Sequence, residues 1–135
     1  DGIRDFCLSR GLGDVYKRQL LDYVNYKRGE TGDGEWVLSV LRECVRDSGV
    51  REVHSHVEIF DGVDSPPGFA AVVLIDESHV TAHCYSERGI LAIDVFTCGD
   101  SDPSAVAAMI NDALVSEIPG LRRVFKKRVE RFRSD

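Results

Sequence analysis

An unbroken apolar run from Phe69 to Ile75, cut off by Asp76-Glu77-Ser78-His79, constrains this chain more than any other stretch. A strand that is apolar on both faces belongs in the middle of a sheet, so the run predicts a central strand covered on both sides. Ser78 then stands just past a buried strand's end. Val80 to Tyr85 and Ile90 to Phe96 predict two more strands, joined around Ser86 to Gly89.

The flanking sequence supplies the other layer. Val37, Leu38, Leu41, Cys44 and Val45 recur at helical spacing, after a Gly/Asp loop from Gly29 to Gly34 and before a stop at Gly49. Asp102 is a good N-cap with Pro103 at the first helical position. Behind it Val106, Met109, Ile110, Ala113 and Leu114 form an apolar stripe that ends before Pro119-Gly120. Leu20 to Tyr26 suits a strand. Glu52 to Phe60 reads as a half-buried strand, with Val53, Val57 and Ile59 on one side and His54, His56 and Glu58 on the other. Arg122 to Phe132 predicts a last, basic strand. Two helices and about six strands in this order make an α+β two-layer sandwich, a mainly antiparallel sheet covered on one face by two helices.

At 135 residues and 43% hydrophobic content the chain suits one domain with one core, and no internal repeat interrupts it. Residues 1–19 stand apart. Arg10-Gly11-Leu12-Gly13-Asp14-Val15-Tyr16-Lys17-Arg18-Gln19 has no clear period and reads as a non-native, sequencing-derived leader, with a native extension as the alternative. The expected domain is therefore 20–135.

A net charge of -6 argues against general nucleic-acid or membrane-surface binding. No apolar run approaches the roughly twenty residues that cross a bilayer. Cys7, Cys44, Cys84 and Cys98 lack zinc-site spacing, so no metal is expected. With no secretion signal, reduced thiols in a cytoplasm are the simplest reading. His54 and His56 point the same way along a strand, but without a third ligand a solvated face is the better reading. The basic residues from Arg122 to Arg133 alternate with Val124, Phe125, Val129 and Phe132, which fits a guarded sheet edge better than a nucleic-acid patch.

The chemistry-bearing stretch follows the apolar run. A serine hydroxyl held against the preceding carbonyl can attack it, turning the Glu77-Ser78 amide into an ester. Elimination then releases Glu77 as a new C-terminus, and hydrolysis with loss of ammonia leaves a pyruvoyl group where Ser78 stood. The chain becomes two, 1–77 and 78–135. A pyruvoyl ketone condenses with a substrate's α-amine, and the resulting imine accepts the electrons freed when carbon dioxide leaves. Such chemistry needs an acid-base group during cleavage and a donor to reprotonate the α-carbon; His83 and Cys98 suit these tasks by type. Taken singly, Glu-Ser-His is uninformative, His83 suits a structural histidine on a strand, and Cys98 a small buried apolar residue.

The combination is more specific. Glu77-Ser78-His79, then His83, Glu87 and Asp94-Val95-Phe96-Thr97-Cys98-Gly99-Asp100, resembles the S-adenosylmethionine decarboxylase family in order and spacing, over roughly residues 20–116. The resemblance implies an α+β sandwich, a covalent pyruvoyl cofactor made from Ser78 by self-cleavage after Glu77, His83 in processing, Cys98 as proton donor, and a homodimer.

Departures from the family pattern bear on substrate. Ala70 stands where members carry a serine that assists processing, with Ser65 as a possible substitute. Cys84-Tyr85-Ser86-Glu87 replaces Thr-Trp-Pro-Glu. The resemblance gives Glu87 the ribose hydroxyls of S-adenosylmethionine, and Tyr85 and Phe60 the aromatic contacts with adenine. An apparent insertion from Asp61 to Pro67 adds Asp61 and Asp64, which suit a guanidinium or ammonium group. The sequence thus slightly favours L-ornithine or L-arginine over S-adenosylmethionine, the precursor of the aminopropyl donor in spermidine biosynthesis. A third reading is an unprocessed regulatory homologue.

Overall fold

The computed structural model describes residues 16–97 and 102–132. In chain order these form β1 (Tyr16–Val24), α1 (Asp33–Asp47), β2 (Glu52–Phe60), β3 (Gly68–Ile75), β4 (Ser78–Tyr85), β5 (Ile90–Thr97), α2 (Pro103–Glu117) and β6 (Arg122–Arg131). The strands make one sheet in the order β2-β3-β4-β5-β1-β6 with every neighbouring pair antiparallel. Both helices lie on one face, the two-layer α+β arrangement read from the sequence.

Local signals account for both helices. Helix α1 begins after Gly32, whose φ of 74° suits glycine, and carries Asp33 and Glu35 in its first turn and Arg46 in its last, complementing the helix dipole. Gly34 must be small, because a β-carbon there would collide with Ile59, Val57 and Phe69. In α2, Asp102 accepts a hydrogen bond from the Ser104 N–H at 2.9 Å, and Pro103 opens the helix.

Strand parity builds the core. Phe69, Ala71, Val73 and Ile75 from β3, Val80, Ala82 and Cys84 from β4, and Leu91, Ile93 and Val95 from β5 are buried against Val37, Leu41 and Val45 of α1 and Val106, Ile110 and Leu114 of α2. The alternate residues of each strand lie on the sheet's other face, which no helix covers. Here the expectation for the apolar run is corrected: β3 is covered on one side only, and Leu74 is 42% exposed. Apolar character on both faces does not require that both covers come from the same chain.

Two other strands depart from expectation. In β2 the register shifts between Glu52 and His54, which takes Val53, 54% exposed, out of the alternation; Ile59 keeps its place beside Val57 on the helix-covered face and is 51% exposed on this edge strand. Strand β1 begins at Tyr16 rather than Leu20, and its residues from Lys17 to Tyr23 pair with both β5 and β6. Gln19 is buried there, and its Oε1 accepts from the Ser104 hydroxyl at 3.2 Å. The strand ends at Asn25, which adopts a φ of 64° and turns Tyr26 to donate its N–H to the Gly89 carbonyl at 2.9 Å. Strand β6 occupies the sheet edge, where its lysines and arginines guard exposed backbone.

Candidate active site

Strands β3 and β4 are joined by a hairpin whose loop is Asp76-Glu77, with Ile75 paired to Ser78. Glu77 has a φ of 58°. A left-handed backbone costs an L-residue other than glycine about 1–2 kcal/mol, and this hairpin places the cost on a glutamate. Ser78, the next residue, is 8% exposed, and its Oγ has no hydrogen-bond partner among the described residues. Buried hydroxyls are nearly always satisfied, so an orphaned one beside a strained residue marks the Glu77-Ser78 peptide bond as unusual. Ser78 is also the residue a pyruvoyl group is made from, its Oγ leaving with the Glu77 carboxylate, and the local arrangement fits that conversion.

The bond borders a cavity of about 630 Å³ lined by Arg51, Leu74, Asp76, Ser78, His79 and Phe96, among others. Arg51 donates from Nη2 to Asp76 Oδ1 at 2.7 Å and from Nε to Oδ2 at 3.3 Å. The His79 ring packs on Phe96 with centroids 5.5 Å apart, and its Nε2 lies 3.9 Å from Asp94 Oδ2. None of Arg51, Asp76 and His79 received a role from the sequence. For His79 the signal was available, since it follows the serine directly. Arg51 lies 25 positions from Asp76, a pairing that no local pattern announces.

Cys98 lies outside the described residues. Thr97, just before it, is buried, and the pairing of Phe96 with His79 brings the end of β5 beside the start of β4. His83 does not join Ser78 within the chain. It stands on the open sheet face, directly opposite Ala70 on β3 and Ala92 on β5, while Ser78 belongs to the core-facing set. Five residues of strand separate them by roughly 17 Å.

The remaining candidates gather with His83 at the far end of the sheet. Tyr85 and Phe60 both pair with Gly68, Glu87 is exposed in the turn between β4 and β5, and Asp61 and Asp64 are exposed in the loop after β2. Asp61 Oδ1 accepts the Val63 N–H at 2.9 Å. A second cavity of about 300 Å³ opens here between Tyr85, Ile90, Ala92 and Val124. It lies roughly 24 Å along β4 from Ser78, the run of that eight-residue strand.

Burial pushes the Cys84 thiol up to about 11, against a smaller opposing effect of a hydrogen bond with Ser86, and it pushes Cys44 up to about 11 as well. Both are free thiols held neutral in the core. Among the described residues no group of three or more His, Cys, Asp or Glu is arranged to hold a metal ion, and no helix is long and apolar enough to cross a membrane.

Fold and site together define a class: a two-layer α+β sandwich that presents a seryl peptide bond on a strained hairpin at one end of its sheet. The sequence model of S-adenosylmethionine decarboxylase matches residues 17–126, and the chain belongs to that family. The proenzymes of this family form a covalent pyruvoyl group by autocatalytic cleavage. The chain is 34% identical over 112 residues to the S-adenosylmethionine decarboxylase proenzyme of Pseudomonas aeruginosa, covering 83% of this chain and 63% of that one. It is 52% identical over 50 residues to the proenzyme of Bacillus velezensis, covering 37% and 40% respectively. The matches thus span less than two thirds of these relatives' lengths. The fold is similar to the crystal structure of the adenosylmethionine decarboxylase from Aquifex aeolicus, with a TM-score of 0.67, 22% identity, and coverage of 90% of this chain and 94% of that one.

Proposed function

We propose that this chain is a self-cleaving proenzyme that becomes a pyruvoyl-dependent decarboxylase of S-adenosylmethionine in polyamine biosynthesis. The observation that carries the reading is the left-handed Glu77 beside the buried, unpartnered Ser78 hydroxyl. In the first step Ser78 Oγ bonds to the Glu77 carbonyl carbon, the carbon–nitrogen bond breaks, and the hydroxyl proton ends on the Ser78 nitrogen. Loss of the Ser78 α-proton then expels the Glu77 carboxylate and leaves a dehydroalanine, which takes up water and releases ammonia. The resulting pyruvoyl group supplies the electron sink for loss of carbon dioxide.

The chain's own residues bind, orient and move protons. His79 lines the cavity at Ser78 and is braced by Phe96, a suitable station for a proton at the cleavage site. Cys98 follows buried Thr97 and remains the proposed donor to the substrate α-carbon. Phe60, Tyr85, Glu87 and His83 lie too far along the sheet to serve the same Ser78. A homodimer resolves this: two open sheet faces packed with their strands reversed would bring the His83, Tyr85 and Glu87 end of one protomer to the Ser78 end of the other. The exposed Leu74, Tyr85 and Phe125 suit such a surface.

The names of the relatives support S-adenosylmethionine, and the structure adds one argument against a basic amino acid. Asp61, offered as a ligand for a side-chain cation, spends one oxygen on capping its own loop at Val63. The buried free thiols of Cys44 and Cys84 suit a reducing cytoplasm. Denaturing mass spectrometry of the purified protein should show two fragments instead of the 15.0 kDa chain. Carbon dioxide release should be fastest from S-adenosylmethionine when ornithine, arginine and lysine are assayed beside it. A chain that stays whole on prolonged incubation would overturn the enzyme reading and leave a regulatory homologue.

A further inference from the structure

We propose that Arg51 is a positioning residue for self-cleavage: its two-bond grip on Asp76 holds the hairpin in the strained form from which Ser78 attacks. The inference rests on the self-cleavage reading above. Arg51 comes immediately before β2, and the first register pair of that strand is Glu52 with Ile75, so the guanidinium reaches the hairpin from the neighbouring strand. Nη2 and Nε converge on Asp76 Oδ1 at 2.7 and 3.1 Å, and Nε also reaches Oδ2 at 3.3 Å, so two donors of the planar guanidinium fix the direction of the carboxylate as well as its distance. Asp76 is thereby tied on one side by Arg51 and followed on the other by the pairing of Ser78 with Ile75. Glu77 is caught between these restraints.

Strain of this kind persists only where the surroundings over-determine it. The acyl shift relieves it. In the peptide, one atom, the Ser78 nitrogen, separates the Glu77 carbonyl carbon from the Ser78 α-carbon; in the ester two atoms do, Oγ and Cβ. The bond that forms is oxygen to carbonyl carbon, the bond that breaks is carbon to nitrogen, and the proton passes from Oγ to nitrogen. The longer link lets Glu77 leave its left-handed conformation. Arg51 therefore raises the starting state relative to the ester without touching the reacting atoms.

The same side chain has a task after cleavage. Arg51 carries the one permanent positive charge among the described residues lining the cavity, whereas cleavage creates a new carboxylate at Glu77 beside two acidic side chains. The guanidinium has further N–H donors beyond those given to Asp76, and these suit the new terminus.

The test follows cleavage of the full chain made by cell-free synthesis, using gel time courses with and without hydroxylamine, which releases fragments from the ester. Arg51→Ala and, independently, Asp76→Asn should slow fragment formation about fivefold, within the range that left-handed strain can supply. The early hydroxylamine-released fraction should fall in proportion, which locates the defect in the acyl shift. Exchanging the pair, Arg51→Asp with Asp76→Arg, should restore both the rate, to within about twofold, and the hydroxylamine-released fraction, which assigns the effect to the ion pair. Parental cleavage matched by both single variants, or an exchanged pair as slow as they are, overturns the role of Arg51 and leaves self-cleavage standing. A parental chain that never cleaves overturns both.

Discussion

The two ends of β4 carry different chemistry. At its start, Ser78 is buried, its neighbour Glu77 is strained, and Asp76 is paired with Arg51. At its finish, His83, Tyr85 and Glu87 are exposed, and Tyr85 borders a smaller, more apolar cavity. The proposed function gives the reacting bond to the first end and the substrate contacts, with His83, to the second. A straight strand keeps them apart, so residues that look like one motif in sequence would belong to two half-sites. Closeness in sequence along a strand is distance in space, whereas a helix would have brought positions five apart within about 8 Å.

The largest effect that tests this division is Ser78→Ala, which should abolish fragment formation and leave only the 15.0 kDa mass; cleavage at the same bond in that variant would remove the serine from its role. Next is a mixing experiment. Ser78→Ala and His83→Ala chains should each stay uncut alone, but when co-expressed the His83→Ala chain should be cleaved, because its Ser78 meets an intact His83 in the partner subunit. Absence of fragments from the mixture would break the idea of two half-sites. At the binding end, Glu87→Gln should raise KM roughly tenfold with kcat little changed, as expected for loss of a charge-assisted hydrogen bond to bound substrate. A fall in kcat with KM constant would move Glu87 to the reacting end.

The smallest effect concerns the core-facing thiol near the strand's finish. Burial disfavours the Cys84 thiolate, so its alkylation should stay slow at pH 8 and accelerate only as the pH climbs toward 11. Cys84→Ala should leave cleavage and turnover unchanged and cost about 1 kcal/mol in a denaturant titration. A loss of turnover would bring this core residue into the chemistry.

Much of this molecule was legible in its sequence because the signals were local. The spacing of Val37, Leu41 and Val45 marked a helix, Asp102-Pro103 marked the start of another, and the run from Phe69 to Ile75 marked an inner strand. The motif at Glu77-Ser78-His79 pointed to the bond that the structure then distinguishes by strain and burial. What escaped was non-local. The exposure of Val53 follows from a register shift against β3, and the grip of Arg51 on Asp76 joins two loops across neighbouring strands. The separation of His83 from Ser78 was implicit in strand parity, yet became plain only once both neighbours of β4 were fixed.

Strand order gives the hairpin cut a further meaning. Cleavage at Glu77-Ser78 would assign β1, β2 and β3 to one fragment and β4, β5 and β6 to the other, yet β1 lies between β5 and β6. The fragments would be interleaved, meeting along three seams of the sheet, so neither could leave without dismantling the other. Folding would happen once, as a single chain; afterwards reassembly would need two molecules to meet. The mature protein's survival would then be set by the rate at which it first comes apart, and thermal unfolding would depend on concentration and fail to reverse.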